Sequence, residues 1–224
     1  IESPYAGSTL MKLICEHIDA EVEYLTEGVG AAKQVYVQGI FMQADKVNKN
    51  GRAYSKKILE GAVSKYVTEQ VRTGRAVGEL NHPSGPTINL DKVSHRIVDL
   101  QWEGNNVKGK ALVLDTPMGK IVKNLIEGGV QLGVSSRGMG TLERQQGFMA
   151  VKPDFALCTV DIVQDPSASE AFVNGIMEST EWYYDNGILT ARQIENYKTE
   201  IKRASIQHLT EAQEKVWRDF LSNL

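Results

Sequence analysis

The chain has 224 residues, 42% of them hydrophobic and 24% charged, with a formal net charge of −3. That length fits one domain with appendages, or two small domains, and the apolar fraction suffices for one core. The slightly acidic balance argues against sequence-independent binding to nucleic acid, which needs a basic face.

The N-terminal stretch lacks a basic region followed by an apolar one, so residues 1–10 read as a lead-in before Met11 and not as a secretory signal. No apolar run approaches the roughly 20 residues that span a bilayer, so no membrane partner is expected. Val35 to Met42 is rich in β-branched and aromatic residues and predicts a strand. Asn48-Lys49-Asn50-Gly51 is a turn signal. From Ser55 to Val71 the apolar positions recur at helical spacing, and Gly74 stops the run. Val93–Trp102 and Val107–Leu114 predict a hairpin about Gly104-Asn105-Asn106. Pro117 can open a short helix to Ile126, closed by Gly128-Gly129. Short apolar runs at Val130–Ser135, Phe148–Val151 and Phe155–Val163 suggest further strands, and with them a β-rich α+β barrel or sandwich. After Asp165-Pro166-Ser167 the pattern turns helical, at Ser169–Met177 and again over residues 190–222, with Thr190 a plausible cap.

Cys15 and Cys158 lie far apart with no CxxC or Cys/His spacing, so neither a disulfide framework nor a zinc site is expected. The four histidines form no HExxH pair, and there is no P-loop or dinucleotide fingerprint. No metal or cofactor is therefore predicted.

Three places could carry chemistry. His82 ends a short apolar run in Gly78-Glu79-Leu80-Asn81-His82-Pro83; it reads as a general base or as a plain loop histidine. Gly133-Val134-Ser135-Ser136-Arg137-Gly138 surrounds two hydroxyls with glycine. Such a loop can aim amides at an oxyanion beside a serine nucleophile, or be a turn with a solvated arginine. Asp161 sits in an apolar strand, where a carboxylate is costly without a partner such as an imidazolium. It could equally face outward, with Asp154 and Asp165 as rivals next to proline. His95 in a hairpin strand, His17 in a charged segment and His208 on the tail attract less interest.

The blocks Gly39-Ile40-Phe41-Met42-Gln43-Ala44, Gly78–Pro83 and Gly133–Gly138, in that order, resemble the prohead core proteases of T-even-like tailed bacteriophages, relatives of the herpesvirus assembly proteases. The likeness runs from about Tyr36 to about Ala171. It implies a compact β-barrel flanked by helices, so that residues 1–30 form a lead-in, 31–178 the protease domain and 179–224 a helical tail. By motif, Ser135 would be the nucleophile, His82 the base and Asp161 the third member. The run Ser136, Arg137 and Gly138 would help the oxyanion, and Arg137 or Arg144 could select an acidic substrate side chain. The resemblance further implies cutting of phage scaffold and capsid proteins after Glu, in Leu/Ile-x-Glu-small strings, inside the assembling prohead in the host cytoplasm. Strings of that kind end at Glu27, Glu178 and Glu211 outside the best-matched core, so self-cleavage there, releasing a zymogen, is an expectation. Glu60 and Glu127 end two more within predicted helices. Self-association would also fit. The competing readings are a non-catalytic prohead scaffold or assembly protein of the same fold, and an unrelated hydrolase of small esters.

Overall fold

The structure is a computed structural model, and it describes residues 9–17, 22–28, 33–164, 180–185 and 188–193. The chain divides into a larger unit, Leu13–Asn174, and a smaller one made of Ile1–Lys12 and Gly175–Leu224.

In the larger unit one antiparallel sheet has the order β2-β3-β7-β6-β5, built from Glu23–Glu27, Gln34–Gln43, Asn106–Val113, Val93–Glu103 and Val77–Glu79. The predicted hairpin is its centre: β6 and β7 pair from His95↔Val113 to Glu103↔Asn106, and Gly104 takes φ 60 in the turn. A positive φ is what glycine supplies without steric cost. Phe41 of β3 lies against Gly109 of β7, where a Cβ would stand 2.1 Å from the ring, so Gly109 makes room for a fully buried phenyl ring. A short sheet joins β4 (Arg52–Ala53), β10 (Phe148–Val151) and β9 (Leu142–Gln145). The third places β8 (Gly133–Gly140) between β11 (Ala156–Val163) and β1 (Thr9–His17).

Helix α1 covers Lys56–Tyr66 and continues into a π-helical turn at Val67–Val71, matching the predicted amphipathic run. Its buried face, Leu59, Ala62, Val63 and Tyr66, has the i, i+3, i+4, i+7 spacing that points one stripe at a core. Helix α2 covers Pro117–Glu127. Thr116 caps it, its hydroxyl accepting from the Gly119 amide at 3.0 Å, and proline fills the first turn, where no amide is needed.

Three expectations change. Among the described residues no sheet closes into a barrel. The β5 edge and β11 meet in a single bridge, Leu80↔Ile162, because Asn81 adopts φ 67 and turns the chain out of the ladder. The glycine-rich run 133–140 is a strand and not a loop, and it is buried along its whole length, as expected of a central strand covered on both faces. The supposed start of the tail helix is also strand: in the smaller unit β12 (Thr180–Asp185) and β13 (Ile188–Gln193) form an antiparallel pair, and β12 also pairs with Thr9–Met11. Tyr183, Tyr184 and Thr190 are residue types enriched in strands. Thr190 therefore caps no helix. The helical expectations for 169–177 and 194–222 lie outside the described residues. Residues 1–30 contain two strands, and Leu13, Ile14 and Cys15 of β1 are buried core.

Candidate active site

Three elements converge. The ladder sets Ser135 of β8 directly opposite Asp161 of β11, so their side chains share one face. His82 arrives from the turn after β5. The left-handed Asn81 is held there by its amide, which donates to the Ile162 carbonyl at 2.8 Å. Asparagine is among the few non-glycine residues that accept this conformation readily.

His82 bridges the other two. Its Nδ1 lies 2.7 Å from Asp161 Oδ2, and its Nε2 lies 2.6 Å from Ser135 Oγ. A carboxylate can only accept, so Nδ1 carries the hydrogen and Nε2 is left to accept the Ser135 hydroxyl proton. The His82 side chain is 1% exposed, and Ser135 and Asp161 are fully buried.

Asp161 is paired on every side. Besides His82, Oδ2 accepts from Arg137 Nε at 2.8 Å. Oδ1 accepts from the Glu79 amide at 3.0 Å and from Arg137 Nη2 at 3.3 Å. Burial alone would push this carboxyl up. The hydrogen bond and charge of His82, with those of Arg137, outweigh burial and hold it below its ordinary range. Burial likewise opposes the charge on Arg137, and Asp161 with Glu79 overcomes it.

Arg137 departs from the expectation of a residue that meets solvent or a substrate. Two residues along β8 from Ser135, it lies on the same buried face and is fully enclosed. Its Nη2 also meets Glu79 Oε1 at 3.2 Å, and its Nη1 donates to the carbonyls of Gly85 and Thr87 at 2.8 and 3.0 Å. A guanidinium so occupied has no face left for an incoming carboxylate. Arg144 is exposed on β9, in another sheet. The amides of Ser136–Gly138 belong to a strand flanked on both sides, not to an open loop. The Ser136 side chain takes the opposite face from Ser135, lining a cavity of about 100 Å³ with Glu16, Tyr54 and Phe155. Asp154 accepts from the Thr141 amide and hydroxyl at 3.1 and 3.0 Å, a turn role, and Asp165 lies outside the described residues. His95 is buried in β6, between Ser94 Oγ and the Val160 carbonyl.

Glu79 is a functional residue that the sequence does not point to. It is fully buried, and it accepts from the Asn89 amide at 2.9 Å as well as from Arg137. The available signal was a carboxylate inside a short apolar run three residues before the histidine.

A hydroxyl, an imidazole and a carboxylate in one hydrogen-bonded line, carried on a mixed α+β fold, fit a hydrolase of the serine-nucleophile class. The family model described as prohead core protein serine protease matches residues 14–181, and the chain belongs to that family. It is 44% identical over 152 residues to the prohead core protein protease of Enterobacteria phage T4, an alignment covering 65% of this chain and 70% of that relative. Its fold is similar to the solved bacteriophage T4 capsid assembly protease, with a TM-score of 0.65 and 37% identity over 70% of this chain and 99% of the other. The chain is a protease of this phage type.

Proposed function

We propose that the chain is a serine endopeptidase acting on phage scaffold and capsid proteins during prohead maturation, inside the assembling particle in the host cell. The observation that carries this reading is the unbroken contact from Asp161 Oδ2 through His82 to Ser135 Oγ, at 2.7 and 2.6 Å. In the reaction, His82 Nε2 takes the Ser135 proton as Oγ bonds to the scissile carbonyl carbon. The imidazolium then gives that proton to the leaving amine, and an acyl-enzyme remains. Water, deprotonated by the same nitrogen, cleaves the ester and restores the serine. Asp161 keeps the imidazole in the required tautomer and balances its charge.

Cutting after Glu in Leu/Ile-x-Glu-small strings belongs to the same reading, as does self-processing. Glu27 is exposed at the end of the edge strand β2 and pairs with Lys110, so a cut there requires β2 to leave the sheet. Glu60 and Glu127 are within α1 and α2, and Glu178 and Glu211 lie outside the described residues. Ser135 is fully buried, in keeping with a protease held inactive until assembly.

The test is to incubate the purified protein with scaffold and capsid proteins of its phage and to map new termini by mass spectrometry. Cuts after Glu, absent with Ser135→Ala, are expected. Cuts that persist in that variant would sink the reading. The intact mass of the protein in the same samples reports self-cleavage, and equal masses for both proteins would remove that part.

A further inference from the structure

The buried cluster behind His82 holds two carboxylates and one guanidinium. Arg137 touches Asp161 at 2.8 Å and Glu79 at 3.2 Å, all with side chains at 0% exposure. If Arg137 faced Asp161 alone, the two charges would cancel, and little would favour a positive charge on His82. With Glu79 present the cluster keeps a net charge of −1 while His82 is neutral, and becomes neutral when His82 takes a proton.

The other titratable groups that face this cluster add no charge near neutral pH. Burial pushes up the Cys15 thiol on β1, takes the Cys158 thiol on β11 to about 11, and pushes the Tyr66 hydroxyl on α1 up to about 12. Burial pushes His95 on β6 down, so it stays neutral. Glu16 of β1 forms its own pair with Arg52, at 2.6 Å. Glu79 also fixes the chain beyond the histidine, accepting from the Asn89 amide while Arg137 takes the carbonyls of Gly85 and Thr87.

We propose that Glu79 is a positioning residue for the reaction above: by neutralising Arg137 it leaves Asp161 a net negative charge for the His82 imidazolium, and it anchors the segment that follows His82. The inference rests on the endopeptidase reading for its role in turnover, whereas the charge coupling can be measured without turnover.

The experiment is a nuclear magnetic resonance titration of the His82 ring in a Ser135→Ala background, comparing Glu79 with Glu79→Gln and Glu79→Asp. The same Glu79 variants with Ser135 intact give kcat/KM against pH. Glu79→Gln removes a buried negative charge and keeps the shape, so the His82 pKa should fall by about 0.5 to 1 unit. The acid limb of kcat/KM should move to lower pH with it, and the plateau should drop about tenfold as the imidazolium loses support. Glu79→Asp keeps the charge and should hold the His82 pKa within about 0.3 unit. Removing both partners, in Glu79→Gln/Arg137→Gln, leaves Asp161 as the one charge, restores the net −1 beside neutral His82, and should put that pKa at or above the unsubstituted value. An unmoved or raised pKa in folded Glu79→Gln, an equal fall with Asp, or a fall in the double variant overturns the inference. A protein that cuts no peptide yet shows the predicted titrations loses the endopeptidase reading and keeps the charge balance.

Discussion

Every nitrogen of the Arg137 guanidinium donates a hydrogen bond, across two buried carboxylates and two loop carbonyls. Read as a letter, an arginine between glycines suggests a solvated or substrate-facing charge, because a lone charge is costly to bury. What makes burial tolerable is Glu79 and Asp161, which are distant in sequence, so the signal for it is spread over three motifs. His82, Ser135 and Asp161 were legible as chemistry, one residue at a time, and only the fold brings His82 within 2.7 Å of Asp161 and 2.6 Å of Ser135. Arg137→Gln strands two carboxylates beside each other and should destabilise the fold by about 3 to 5 kcal/mol. Urea unfolding of the variant against the parent protein measures this. A loss under about 1 kcal/mol would mean that Arg137 is not the partner of both carboxylates.

Between elements, the single turn at Asn81 decides whether His82 reaches Ser135. Its φ of 67 ends the β5 ladder and aims the next residue at β11. Asn81→Gly keeps that conformation available and should leave activity within about twofold. Asn81→Val should cost about 1 to 3 kcal/mol and lower kcat/KM, since a β-branched residue resists a positive φ. Thermal melts and peptide kinetics on both variants check the pair. Helix α1, helix α2 and the β6–β7 hairpin were readable because period and punctuation are local. Strand β8 was readable only at its start, where the apolar run reaches Ser135: beyond that its glycines imitate a loop, and its neighbours β11 and β1 on either side hold it extended. The same applies to β13, whose residues adjoin a helical stripe in sequence and pair with β12 in the fold.

Over the whole molecule, two buried groups give stability the same dependence on pH. Asp161 has a depressed pKa, so its contribution is complete above about 3.9, the unfolded value, and is lost as pH falls through the lower folded one. His95 is also depressed, because burial disfavours its cation more than the Val160 carbonyl and Asp161 favour it; its contribution is complete above about 6.5 and declines below that as the unfolded chain takes up a proton the folded chain resists. Stability should therefore fall in two stages on acidification. Urea midpoints from pH 7.5 to 3 measure it, and Asp161→Asn should flatten the lower stage while leaving the upper one. An unchanged lower stage would show that Asp161 is not held in its charged form.

The most direct test of the account is cleavage of a peptide carrying Leu-Thr-Glu-Gly by the parent protein, by Ser135→Ala and by His82→Ala, with products read by mass spectrometry. A cut after Glu by the parent protein and a loss of about 10⁴-fold or more in kcat for each variant are expected. Undiminished cleavage by either variant would contradict it.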